Sequence, residues 1–308
     1  MKTTAPHLVQ YQGSKRILAP QILRYLPNRF ERLIEPFSGT AAMTIAAALA
    51  GRTDSFWVND LNEPLVGLLR YAVDVPDEFF SSYSRLWGEQ FSFPEGHIAH
   101  FYHVRDAFNS GDHSPANMMY LLARCVKGSV RYGRDGKFNQ SLDKRRHGTS
   151  PKSLMKNLPA ISRLLKGRTR FSAVDYRDVF KQTQSGDVVY MDPPYQGVSD
   201  ARDQRYLSGL SVDEFALSLD ELNRRNVDFL VSYDGTCGVK GYGVDLPSDL
   251  GCRKVLLNAG LSSQALLLGR RQVTYEALYI SRGLQKNMPD LLDGKLVQAE
   301  MSFQEIAL

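Results

Sequence analysis

Cysteine is scarce in this chain, and Cys125, Cys237 and Cys252 stand far apart with no CxxC spacing. That excludes a disulfide framework and a cysteine zinc site, and leaves the three as buried or incidental thiols. No metal centre is expected. Long apolar runs are missing too. The longest, such as 41–50, are too short to cross a bilayer, and no run of signal-peptide length opens the chain. A cytoplasmic protein with no membrane partner is the expectation. Repeats and low-complexity tracts are absent, and a hydrophobic content of 43% suffices for one sizeable core with a smaller subdomain.

What is present is an uneven charge. Residues 124–170 carry fourteen Lys or Arg against two acids, Asp135 and Asp143, a local +12 within a chain whose net charge is +5. A basic module in a mildly acidic body is the footprint of a polyanion-binding surface on a catalytic fold, with a solvated helical face as the plain alternative.

Short β-rich runs fall at 32–36, 55–59, 169–174, 187–191, 228–232, 254–257 and 274–281. Helical patterns lie between most of them, at 41–50, 63–72, and 212–223 behind Ser211 as N-cap. This alternation predicts an α/β fold with a doubly wound, mainly parallel sheet. It breaks over 73–166, where helical segments at 99–109 and 116–125 lead into a Gly-punctuated basic stretch, so this interval reads as an insertion between 1–72 and 167–283. Inside it, the turn-forming Asp135-Gly136 sits between short β-prone arms. A basic hairpin of this kind suits a DNA groove; an ordinary surface hairpin is the other reading.

The run Leu33-Ile34-Glu35-Pro36-Phe37-Ser38-Gly39-Thr40-Ala41 has the form strand, small-residue turn, helix, which presents helix N-terminal amides at a strand's carboxyl end. Asp60 lies 21 residues beyond Gly39, where an acid accepts ribose hydroxyls in dinucleotide-type folds. The turn lacks the remaining glycines of GxGxxG, which disfavours a pyrophosphate; a phosphate-free nucleoside such as S-adenosylmethionine does not need them. A strand-turn-helix without any nucleotide stays open for the turn alone. Near the N-terminus, Tyr11 offers an aromatic face to a sulfonium and Lys15 a cation to the carboxylate of its methionine moiety. The same residues suit the N-cap of a helix starting near Arg16, which the residues by themselves favour.

The buried-strand run 187–191 ends directly in Asp192-Pro193-Pro194-Tyr195. Chance produces this tetrapeptide on the order of once in a thousand chains. Each proline restricts the residue before it and removes an amide donor, leaving a rigid turn that presents acceptors, although a simple Pro-Pro strand ending has the same form. The Asp192 carboxylate and the Pro193 carbonyl supply two acceptors for an exocyclic amino group, and Tyr195 a ring to stack on a base. Holding both N–H bonds favours the tetrahedral, lone-pair-bearing nitrogen that direct methyl transfer requires.

Together these residues resemble the Dam-like, D12-class adenine-N6 DNA methyltransferases of bacteria and phages, from Tyr11 to about Gly283 and in the motif order of that family's alpha arrangement. The resemblance implies a Rossmann-like methyltransferase fold with residues 73–166 as an inserted target-recognition subdomain and 284–308 as a tail of open role. It implies S-adenosyl-L-methionine as cofactor, no metal, double-stranded DNA as substrate, base flipping, and a cognate restriction endonuclease as a partner where such a system exists. Tyr11 and Lys15 match the N-terminal cofactor motif, and Glu35, Pro36, Phe37 and Gly39 the EPFxG loop. Asp60 matches the ribose acid, Asp175 and Tyr176 the Asp-aromatic motif beside the cofactor adenine. Asp192, Pro193, Pro194 and Tyr195 match the catalytic DPPY, with Asp192 also at the cofactor. Arg124, Lys127, Arg131, Arg134, Lys137, Asn139, Lys144, Arg145 and Arg146 are the expected DNA contacts. Val231-Ser232-Tyr233 and the run 274–280 resemble the family's closing strands. Ser14, Thr40-Ala41 and Ser141 depart from the family's pattern. A cytosine-N4 methyltransferase and a non-catalytic DNA-binding relative are the alternatives; a nicotinamide dehydrogenase leaves the DPPY and the basic segment without a purpose.

Overall fold

The computed structural model describes residues 5–194, 211–237, 240–241, 245–261 and 273–285, with side chains for all of these except 234–237 and 240–241. Tyr195 lies outside the described residues, as does 286–308 of the expected tail.

Contiguous apolar runs form the inner parallel strands, buried on both faces, whereas the edge run Thr169–Ser172 is half-buried. The strands are β1 (Arg32–Glu35), β2 (Phe56–Asn59), β3 (Thr169–Ser172), β4 (Asp187–Met191), β5 (Asp228–Cys237), β6 (Lys240–Gly241), β7 (Arg253–Leu261) and β8 (Val273–Ile280). They make one sheet in the order β3-β2-β1-β4-β5-β8-β7, with β6 paired to β5 off this path. The five strands from β3 to β5 are mutually parallel, and β8 runs antiparallel to both β5 and β7. Every expected strand is present, and the predicted α/β class and mainly parallel sheet hold.

The helices are α1 (Ala19–Ile22), α2 (Ala42–Leu49), α3 (Glu63–Asp74), α4 (Pro76–Glu89), α5 (Gly96–Asn109), α6 (Pro115–Arg124), α7 (Pro151–Leu165), α8 (Tyr176–Lys181), α9 (Val212–Arg224) and α10 (Arg282–Gln285). Ser211 caps α9 as expected, its hydroxyl accepting from Glu214 N at 3.4 Å. The helix expected near Arg16 starts instead at Ala19, after a turn in which Ala19 N donates to Lys15 O at 2.7 Å. Two helices of the insertion were not anticipated. In α4 only Phe79 and Tyr83 are buried, too few to mark a stripe. In α7 the buried stripe Leu154, Leu158, Ile161 and Leu165 is interrupted in sequence by lysines and by Pro159.

The sheet separates two cores. Leu33, Val188, Tyr190 and Leu230 point into one, shared with α2, α3 and the insertion helices. Ile34, Val189, Met191 and Val231 point into the other, under α8 and α9. The insertion is therefore continuous with the first core, and Ser162 Oγ of α7 donates to Val73 O of α3 at 2.7 Å. Since β1 leads to β2 on one side and β4 to β5 on the other, the order reverses between β1 and β4. The crevice at the carboxyl ends of these two strands is where ligands bind in open α/β sheets. Among the described residues no helix is long and apolar enough to cross a membrane.

Candidate active site

Both sequence motifs meet at that crevice. After β1, the carboxylate of Glu35 turns into the N-terminus of α2 and accepts from Thr44 N at 2.5 Å. The N-cap position itself is Ala41, which has no capping side chain, so the preceding strand supplies the acceptor. Ala41 stands at φ +56°, a left-handed conformation that costs an alanine roughly 1 kcal/mol and that a glycine would adopt freely. Burial pushes Glu35 up to about 7, against the Thr44 hydrogen bonds and with help from Asp192 and Asp60.

Asp60 ties the same loop down. Its carboxylate accepts from Gly39 N at 2.9 Å and from Asn62 N at 3.0 Å, while burial holds it above the ordinary carboxylate range. Gly39 has φ +49°, and a Cβ there would lie 3.2 Å from the Tyr11 ring, so the loop approaches the N-terminal segment closely. Ser38 Oγ is buried with no hydrogen-bond partner among the described residues. Asn59, which the sequence reading passed over, is the clamp of this end of the sheet. Its amide donates to Pro36 O at 3.0 Å and Val174 O at 2.9 Å, and accepts from Ser172 Oγ at 2.6 Å and Val174 N at 3.1 Å. All four of its hydrogen-bonding slots join the ends of β1, β2 and β3.

Tyr176 is buried, its ring 5.3 Å from Phe37 and 5.9 Å from Phe215, so it supports the loop from beneath. Asp175 caps α8 through Arg177 N at 2.9 Å and grips the Arg177 side chain, which lowers its carboxyl. Pro36 accepts from Asn59, and Pro193 is buried beside the half-buried Pro194.

At the end of β4 the N-terminal segment meets the Pro-Pro turn. Lys15 is buried, and its ammonium meets Asp192 Oδ2 at 2.8 Å and Glu276 Oε2 at 3.4 Å. Burial by itself would depress this lysine, yet Asp192, Glu276 and Tyr190 outweigh it and hold it above the ordinary lysine range. Glu276, from β8, is raised by burial and by Asp192, with Lys15 opposing. Sequence reasoning missed it; an isolated acid among Ala277, Leu278 and Ile280 was the available signal. Beside this group the buried Tyr190 and Ser232 hydroxyls share a 2.7 Å hydrogen bond.

The basic hairpin lies over the same end. Tyr132 and Phe138 pair across it, Gly136 N donates to Gly133 O at 3.0 Å and Gly133 N to Lys137 O at 2.8 Å. With Gly136 at φ +74° this is a three-residue loop with a bulge, not a two-residue turn on Asp135-Gly136. Tyr132 Oη donates to Asn62 Oδ1 at 3.1 Å, two residues from Asp60, and Gln12 N donates to Gly128 O at 3.0 Å. Lys127, Arg131, Arg134, Lys137, Asn139, Lys144, Arg145 and Arg146 are all exposed. Arg124 is a correction. It is fully buried, its guanidinium bonded to Arg146 O, His97 O and His97 Nδ1, and it presents nothing to a phosphate. Arg168 and Arg170 are likewise engaged within the protein, with Asp54 and over the Trp57 ring, and Lys152 and Lys156 lie on the solvated face of α7. Part of the +12 is thus the plain helical face.

A doubly wound α/β protein that gathers carboxylates at its switch point beside a basic hairpin is the class so defined. The family model of the D12 class N6 adenine-specific DNA methyltransferases matches residues 11–245, and the chain belongs to that family. It is 26% identical over 242 residues to the DNA N-6-adenine-methyltransferase of Escherichia phage P1, a match covering 76% of this chain and 30% of that protein. It is 27% identical over 194 residues to the DNA adenine methylase of Serratia marcescens, covering 62% and 67%. With the type II methyltransferase M1.LlaDCHI of Lactococcus lactis subsp. cremoris it shares 27% over 202 residues, covering 62% and 66%. The match thus spans less than a third of the phage relative and about two thirds of the other two.

Proposed function

We propose that this chain transfers a methyl group from S-adenosyl-L-methionine to the exocyclic N6 of adenine in a specific sequence of duplex DNA. The observation that carries the reading is the placement of Asp192. It closes β4 on a Pro-Pro turn at the switch point, with the Glu35–Gly39 loop across the crevice and an ammonium 2.8 Å away. Asp192 and the Pro193 carbonyl act as the two acceptors of the amino group, and Tyr195 as the ring that stacks on the extruded base. Bound S-adenosylmethionine supplies an activated methyl on a cationic sulfur. The residues present fit it: Asp60 keeps lone pairs for a ribose, Gly39 admits close backbone approach, the buried Ser38 hydroxyl has no partner among the described residues, and two carboxylates, Asp192 and Glu276, meet the one Lys15 ammonium. Tyr11, Pro36 and Phe37 line the loop side, with Asp175 and Tyr176 toward the cofactor adenine. The reading assigns no role to a metal.

Residues 73–166 serve target recognition, set between catalytic segments 1–72 and 167–283. Phosphates are met by Lys127, Arg131, Arg134, Lys137, Lys144, Arg145 and Arg146, with Asn139 on the same hairpin. Since the Lactococcus relative is named a type II methyltransferase, an endonuclease reading the same site is the protein partner to test.

Incubation with methyl-labelled cofactor and mixed-sequence duplex DNA should yield N6-methyladenine, with about a thousandfold or greater loss on Asp192→Ala. Label on cytosine alone would move the reading to the N4 amine. DNA binding without cofactor affinity in calorimetry would leave a non-catalytic relative.

A further inference from the structure

An acid in a sheet interior needs a reason. Glu276 stands on β8 where its ladder neighbours, Gly235 on β5 and Leu257 on β7, bring no charge. The ladder on one side is irregular opposite it, β5 carrying an extra residue between Tyr233 and Gly235. Its side chain reaches Lys15, whose ammonium lies 3.4 Å from Glu276 and 2.8 Å from Asp192, and 3.4 Å from Gly13 O. A Lys15–Asp192 pair alone is neutral; among the described residues the third member brings the group to a net −1.

We propose that Glu276 is a positioning residue for methyl transfer: it shares the Lys15 ammonium with Asp192, fixing Lys15 while leaving Asp192 the surplus negative charge that receives the amino group and faces the sulfonium. The inference deepens the methyltransferase reading and rests on it. A carboxylate whose charge is fully compensated by one ammonium is a weak acceptor, and a second carboxylate on that ammonium restores part of its strength. The net −1 also separates substrate from product. S-adenosylmethionine is cationic at sulfur and S-adenosylhomocysteine is not, so a site carrying surplus negative charge binds the first more tightly and releases the second.

The test compares wild type, Glu276→Gln and Glu276→Asp in the full chain. Calorimetry gives the affinities for both nucleosides, and single-turnover assays the transfer rate. Removing one partly desolvated charge should weaken S-adenosylmethionine about tenfold, move S-adenosylhomocysteine by less than about twofold, and slow transfer about tenfold or more. Glu276→Asp, which keeps the charge, should recover most of the preference. An unchanged ratio of the two affinities in Glu276→Gln overturns the proposal, and so does an equal loss of both, which is what a purely structural role gives.

If the variants do not fold, wild type itself decides. Its preference for the cationic nucleoside should fall as pH is lowered and Glu276, held above the ordinary carboxylate range by burial and by Asp192, takes up a proton. A flat ratio overturns the proposal. Among the described residues, the ionisable groups facing Glu276 are Lys15 and Asp192, with Tyr190 facing Lys15. Lys15 stays charged throughout, and a fall that persists in Asp192→Asn belongs to Glu276, whereas one that vanishes there overturns the assignment. A wild-type chain that binds neither nucleoside and methylates nothing refutes the methyltransferase reading, and this inference with it.

Discussion

Glu35 shows how one residue carries both fold and site. Its carboxyl is raised from 4.5 to about 7, so between these values the folded chain holds a proton that the unfolded chain has released. The stability this group contributes is full below about pH 4.5 and is lost as pH rises through about 7. Glu35→Gln keeps an acceptor for Thr44 N and removes the titration, so its unfolding free energy should lack the decline that wild type shows over that window. Parallel curves for the two proteins would contradict the assignment. Asn59→Ala should cost about 3 kcal/mol or more in urea denaturation, because several buried groups at three strand ends lose their partner together. At this scale the sequence exposed what is local. Asp60, Gly39 and Asp192 announce themselves by neighbours in the chain, whereas Glu276 meets Lys15 across most of its length and Asn59 shows in sequence only as the end of a β-rich run.

Among elements, the inner parallel strands were legible because burial on both faces leaves a near-continuous apolar run, as in Asp187–Met191, which ends where predicted. Helix α7 was not, since its core stripe is diluted by lysines that only the folded face separates. The basic segment divides the same way. Arg124 and Arg134 look equivalent in sequence, yet one holds loops together and the other is free in solvent. Arg124→Ala should lower stability by about 3 kcal/mol, leaving the His97 and Arg146 carbonyls without their donor. Arg134→Ala and Lys137→Ala should change it by less than about 0.5 kcal/mol while weakening DNA binding and reducing its salt dependence. Denaturation curves and binding isotherms at several salt concentrations separate the two roles; equal effects on stability would contradict the division.

For the whole molecule, the reversal of strand order between β1 and β4 places a nucleoside-type loop and an acceptor-bearing turn on one crevice, and the insertion sets a basic hairpin over it. Tyr132 bonds to Asn62 and Gln12 to Gly128, so the surface assigned to DNA and the loop assigned to the cofactor share a rim. This arrangement was only half legible, because the insertion was visible as a break in alternation while its continuity with the core was not. The central claim is that this rim delivers an adenine to Asp192. Sequencing genomic DNA for modified bases after expression in a methylation-free host tests it most directly. Wild type should leave N6-methyladenine in one short sequence context and Asp192→Ala none; unmodified DNA, or modification confined to cytosine, would contradict this role.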